Sequence, residues 1–223
     1  MEWVSYIAPL MRGAWVTIQL TMYSTVLGGL VAFTLGLCKL APNAGLRATA
    51  TLFIEFFRGT SLLVQLFWLY FALPLLGQHL GVDLRLPPVA AGTLALSLNI
   101  GAYGAEVVRG ALQAVPRGQR EAAQALDFTP AQILWRVSLP QAIPEMIPSL
   151  GNLAVQNLKD TALVSLVGLS DMALRAEQLR NFTQDNTTVY TMLLLAYFGM
   201  ALVLTFFMKL LERSIGRWRT GGA

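Results

Sequence analysis

An all-α integral membrane protein with about five transmembrane helices is the fold class this sequence predicts, on three observations. The 223-residue chain is 55% hydrophobic and only 13% charged. The uncharged apolar runs 13–38, 59–82, 86–105 and 186–208 each approach or exceed the ~20 residues a helix needs to cross ~30 Å of hydrocarbon. The runs are continuously apolar rather than alternating, and a lipid-exposed segment must satisfy its backbone hydrogen bonds within itself, so helix is favoured over strand.

Taken in order, run 13–38 is too long for a signal-peptide core and is read as a permanent first helix. Residues 41–47, Ala-Pro-Asn-Ala-Gly-Leu-Arg, form a turn cluster. Run 59–82 supplies the second helix, and its Phe67, Trp68, Tyr70 and Phe71 suit lipid-facing packing. An outer loop over 77–88 contains His79 and ends in Pro87-Pro88 before the third helix. The fifth apolar run, 141–169, keeps Glu145, Lys159 and Asp160. Charges at membrane depth are costly, so that helix is expected to line a protein interior or a wet path. A more polar stretch, 169–188, reads as a short surface helix and a turn before the last helix. The whole chain, 1–223, is one transmembrane domain without internal repeats.

The basic residues set the orientation. With the N-terminus outside, eleven fall inside (Lys39, Arg47, Arg58, Arg109, Arg117, Arg120, Arg136, Lys209, Arg213, Arg217 and Arg219). Arg12, Arg85, Arg175 and Arg180 fall outside and Lys159 is buried, which accounts for all 16. The charge of +4 is dispersed over loops and a tail, which argues against nucleic-acid binding. One cysteine, Cys38, and one histidine, His79, leave no intrachain disulfide and no Cys/His metal cluster. A G-x-x-x-x-G-K-[ST] phosphate loop and an H-E-x-x-H motif are both absent. Enzymatic readings, including intramembrane proteolysis, lack a base at depth.

The semi-polar stretch 121–140, EAAQALDFTPAQILWRVSLP, lies between these apolar runs, where an aqueous partner would reach it. Residues 117–126 favour helix after Gly118, and Ala122, Ala123 and Ala125 are small enough for close packing. Thr129 is placed to cap a new helix, Pro130 suits its first position, and Gln132 completes a capping box. Two short helices meeting at Asp127 are expected.

Glu121-Ala122-Ala123, followed after a spacer by Leu139-Pro140, resembles the EAA motif of the membrane subunits of ATP-binding-cassette importers. Phe56-Phe57-Arg58-Gly59-Thr60, Asn99 through Glu106, Arg109-Gly110, Val115 through Gln119, and Lys159 through Leu163 are similar to the polar amino-acid branch of that superfamily. The likeness extends from about residue 10 to about residue 215. The chain departs from the pattern at Asp127, where the family usually has glycine. Glycine would supply a positive φ at the corner, and aspartate tolerates that region better than most residues.

The resemblance implies a type I importer in a bacterial inner membrane. Two permeases, identical or homologous, form the pathway, two ATPase subunits bind below, and an external binding protein delivers the substrate. ATP and Mg would belong to the ATPase, with no cofactor in this chain. The loop 117–140 would be the coupling element, with Glu121, Ala122, Ala123, Asp127, Leu139 and Pro140 as its signature. The cargo would be a polar amino acid or a zwitterionic relative such as an ectoine-like solute.

Spacing alone suggests further sites. Gln156, Lys159 and Asp160 are read as one face of the fourth helix, with Asn152 one turn back. Asp160 could take an ammonium group and Lys159 a carboxylate, or the two could form a buried packing pair. Arg58, Glu106 and Arg109 are candidates for an inner gate, with a static surface pair as the alternative. Asn99 and Gln65 lie deeper, where an amide either faces the pathway or bridges helices. A small ion-coupled carrier or channel is the rival function. It would explain Lys159 and Asp160 but leave 121–140 without a task.

Overall fold

The computed structural model describes residues 3–220, and side chains within 6–215. Arg217 and Arg219, used above for orientation, therefore lie outside the described side chains. Every regular element among the described residues is helical. Tyr6–Cys38, Leu62–Leu80 and Asn186–Ile215 are long and apolar enough on their own to cross a membrane. Two further long helices, Pro88–Ala114 and Leu139–Asp160, carry the more polar interior.

The first helix, α1, spans Trp3–Cys38, starting ten residues before the apolar run. The turn after it is shorter than expected. The Asn43 side chain accepts from the N–H groups of Gly45 and Leu46 at 2.9 and 3.2 Å, so α2 (Ala44–Gly59) begins inside the 41–47 cluster. The second apolar run is not a single helix. Thr60 and Ser61 are extended (φ −115°, ψ 154° and φ −71°, ψ 134°) and separate α2 from α3 (Leu62–Phe67). A π-helical turn, Trp68–Ala72, joins α3 to α4 (Leu73–Leu80). His79 thus sits in the last turn of α4, not in a loop. Phe67, Trp68 and Phe71 are exposed as expected, while Tyr70 packs partly onto the core.

α5 (Pro88–Ala114) is the central helix and packs most extensively against α1. Small residues allow the approach. A Cβ at Gly28 would meet Ile100 Cγ2 at 2.3 Å, and one at Gly101 would meet Val31 Cγ1 at 2.6 Å, so any larger side chain would force the pair apart. α6 (Arg117–Ala125) follows, then α7 (Pro130–Gln132), a π-helical turn (Ile133–Ser138) and α8 (Leu139–Asp160). The expectation of two short helices holds only for the first. From Pro130 onward the helix runs without a break to Asp160. Pro140 is tolerated because the wide turn just before it accommodates a residue that has no N–H to donate, as the turn 68–72 does before Pro74.

After Asp160 the chain tightens into a 3₁₀ segment, Thr161–Val167, which ends at Gly168 (φ +82°). α9 (Met172–Thr183) is the short helix expected over 169–188, capped by Asp171, and α10 (Asn186–Thr220) closes the chain. Asn157 of α8 donates to Ser24 Oγ (2.7 Å) and Thr25 Oγ1 (3.0 Å) of α1, tying the two helices together.

Candidate substrate pocket and coupling corner

The break between α2 and α3 frees the last carbonyls of α2 from their helical partners, and deep in a membrane protein such groups must be satisfied by side chains. The Thr60 hydroxyl donates to Phe56 O (2.8 Å). Gln65 Nε2 donates to Phe57 O (2.9 Å), Thr60 Oγ1 (2.7 Å) and Thr60 O (3.3 Å). Asn99 Nδ2 of α5 donates to Phe57 O and to Gln65 Oε1, both at 3.4 Å. The Tyr103 hydroxyl donates to Arg58 O at 3.5 Å. Gln65 thus bridges helices, while Asn99 does so and also faces a cavity.

That cavity, of about 320 Å³, is bounded by the break itself (Thr60, Ser61, Leu62), by Asn99 and Tyr103 of α5, and by Gln156, Asn157 and Asp160 of α8. Gln156 Nε2 donates to Asp160 Oδ1 at 2.9 Å. Lys159 is exposed and is not part of this lining. The structure thus brings Asn99, Gln156 and Asp160 together and leaves out Lys159, which had been expected to be buried. Consecutive helical residues point about 100° apart, so Lys159 and Asp160 diverge. Asn152 is exposed beside a different cavity.

The same cavity borders the start of the helical run 62–80. Ser61 makes no side-chain capping bond there. The first ladder bond runs from Gln65 N to Ser61 O (3.0 Å), so the N–H groups of residues 62–64 precede the ladder and carry the positive end of the helix dipole. The cavity therefore holds a carboxylate and borders the start of a helix at Ser61 and Leu62. Thr60 and Tyr103 fall within family-like strings of the sequence but carry no site role there, and Ser61 falls in none. The signal available was Gly59-Thr60-Ser61, a helix stop followed by a capping residue.

The gate trio is only partly assembled. Glu106 accepts from Arg109 Nε at 2.8 Å and also pairs with Lys39, which the sequence reading had not linked to it. Arg58 does not join them. It pairs with Glu55 at 3.5 Å and lies over the Tyr103 ring, 5.4 Å from the centroid. Because α2 is helical from Ala44, Arg58 stands about 20 Å along it, next to the cavity-lining Thr60 and far from the α1–α2 turn beside Lys39.

The corner after α6 is built as a Schellman turn. Asp127 N donates to Gln124 O (2.9 Å), Phe128 N donates to Ala123 O (3.1 Å), and Asp127 adopts φ +60°. Thr129 then caps the next helix. Gln132 N donates to Thr129 Oγ1 (3.3 Å), and Thr129 N donates to Gln132 Oε1 (2.8 Å), completing the capping box. Glu121, Ala122, Leu126 and Asp127 are exposed, Leu126 at 70%, while Ala123 and Leu139 are buried against the body. Pro140, exposed, borders a cavity of about 520 Å³ with Gln141, Glu145 and Ile215. The arrangement presents α6 and its corner as one outward surface with an apolar tip.

Residues 8–217 match the family described as "Binding-protein-dependent transport system inner membrane component". The chain belongs to this family. It is 64% identical to the "Probable amino-acid ABC transporter permease protein y4tF" of Sinorhizobium fredii (strain NBRC 101917 / NGR234), over 98% of this chain and 92% of that protein. It is 39% identical to y4tG, also described as a probable amino-acid ABC transporter permease, from the same strain, over 87% of this chain and 82% of that one. Among solved structures, the "Crystal structure of an amino acid ABC transporter with histidines" superposes with a TM-score of 0.85 at 34% identity, covering 95% of this chain and 96% of the other. An inward-facing MetNI methionine transporter chain shares the fold, with a TM-score of 0.78 at 23% identity.

Proposed function

We propose that this permease forms, with a second permease, the pathway of an ATP-driven importer that carries a free polar amino acid from an external binding protein to the cytoplasm. The observation that carries this reading is the cavity at the α2–α3 break. Asp160 would take the substrate ammonium group, oriented by Gln156. The substrate carboxylate would lie against Ser61 and the first N–H groups of α3, the use that broken membrane helices make of their N-termini. Lys159 has no part in this arrangement. An ectoine-like zwitterion presents the same two charges, but the relatives' descriptions as amino-acid permeases favour an amino acid.

The same reading places the N-terminus outside and the α6 corner in the cytoplasm, where Glu121, Ala122, Leu126 and Asp127 would enter a groove on an ATPase that carries the ATP and Mg. Ala123, Leu139 and Pro140 would hold the corner to the body. That one strain holds both y4tF and y4tG supports a related, non-identical partner permease. The test is uptake of the twenty proteinogenic L-amino acids by proteoliposomes holding this chain with its ATPase, binding protein and second permease. ATP-dependent accumulation of a polar amino acid is expected. Accumulation driven by an ion gradient without ATP would establish the carrier reading instead.

A further inference from the structure

Gln65 is 7% exposed and does not border the cavity, yet its hydrogen bonds determine what the cavity presents. The Thr60 hydroxyl spends its hydrogen on Phe56 O, so toward Gln65 it can only accept. Two carbonyl oxygens, of Phe57 and Thr60, face the same Gln65 nitrogen. Turning the amide over would set Gln65 Oε1 against three acceptors, so Nε2 is held toward the break and Oε1 toward α5. Asn99 must then donate to Gln65 Oε1, and its second N–H goes to Phe57 O. With both hydrogens used, the atom of Asn99 left for the cavity is the carbonyl oxygen Oδ1.

We propose that Gln65 is a positioning residue of the pocket. Through this one-way relay from Phe56 O by way of Thr60, Gln65 and Asn99, it fixes Asn99 Oδ1 as an acceptor toward the ligand, so the site selects substrates with a hydrogen-bond donor at that point. The relay makes one surface of the pocket acceptor-only without placing a second charge there. An amide free to rotate would offer a donor or an acceptor with equal ease, and the discrimination would be lost. This inference rests on the reading of the cavity as the substrate site.

The test is a double-mutant cycle in the reconstituted transporter, following uptake of whichever of the twenty proteinogenic L-amino acids wild type transports best. Gln65→Met, of similar length but without the amide, should raise KM about tenfold and change the maximal rate less than threefold. Asn99→Leu should raise KM as far. The double variant should be no worse than either single, because both remove the same contact. Gln65→Glu keeps an acceptor toward Asn99 but sets its other oxygen against the acceptors of the break, so it should not recover the KM. If Gln65→Met does not accumulate in the membrane, Gln65→Asn carries the same test, since its amide is one methylene too short to span Thr60 and Asn99.

A KM unchanged in the Gln65 variants, or singles whose effects multiply in the double, would overturn the relay. Asp160→Asn separates the two ideas. If it leaves KM unchanged, the pocket assignment itself fails. If it raises KM while the Gln65 variants do not, only the role of Gln65 fails.

Discussion

Gln156 Nε2 donates to Asp160 Oδ1 across 2.9 Å, one helical turn apart on α8. One carboxylate oxygen is thereby engaged by the protein, and in the proposed function the other would meet the substrate ammonium group. Asp160→Asn removes the charge and retains the shape, so affinity for the transported amino acid is expected to fall by about 1.5–3 kcal/mol, roughly ten- to a hundredfold. Lys159→Met, outside the lining, should change KM less than threefold. Uptake kinetics of both variants at matched membrane levels provide the comparison, and equal effects would return Lys159 to the site.

Asp127 sits at φ +60°, a conformation that glycine adopts freely and β-branched residues resist. Asp127→Gly should assemble with the ATPase as well as wild type does. Asp127→Val should strain the corner by about 1–2 kcal/mol, lowering both thermal stability and recovery of the complex. Co-purification and melting of the two variants side by side would detect the difference.

How much of this corner was legible in sequence is instructive. Thr129, Pro130 and Gln132 announce a capped helix through local chemistry, and the αL residue at 127 follows from the family's glycine. The length of the second helix was not legible, because Leu139-Pro140 reads as a stop unless a π-helical turn precedes it. The break at Thr60–Ser61 was hidden for a related reason. No charge interrupts the run 59–82, so the Gly59-Thr60-Ser61 signal is masked within it, and two of the groups that stabilise the break, Asn99 and Tyr103, come from another helix. The Lys39–Glu106 pair spans 67 positions, beyond the reach of any local pattern.

Glu121 is exposed on α6, so reversing its charge should act on a partner and not on the fold. Glu121→Lys is expected to leave membrane levels and Tm near wild type while lowering substrate-stimulated ATP hydrolysis of the assembled transporter about tenfold or more, the scale of a misplaced interface charge. Stimulation at the wild-type level would remove Glu121 from the coupling surface.

Asp171 caps α9 through Leu174 N (2.9 Å) and is fully buried. Burial pushes its carboxyl up from 3.8 to about 6. The folded protein therefore holds a proton that the unfolded chain releases, and the penalty is present above the folded value and relieved as pH falls toward the unfolded one. Thermal stability should rise as pH is lowered from about 7 to about 5. Asp171→Asn retains a capping oxygen and should flatten that part of the profile. A variant with the same slope as wild type would assign the dependence to other groups.

The unbroken helix from residue 130 to residue 160 gives the molecule a lever. At 1.5 Å per residue it measures about 45 Å, with the capped corner at one end and Gln156 and Asp160 at the other. Pro144 and Pro148 each remove one ladder hydrogen bond within it, but the helix continues through both. A tilt of a few degrees imposed at the corner becomes a sideways shift of an ångström or more at the carboxylate, comparable to the tolerance of a hydrogen bond. The wide turn at Ile133–Ser138 is the one place along this shaft where the helical repeat changes, and its stiffness sets how faithfully the shaft conveys force.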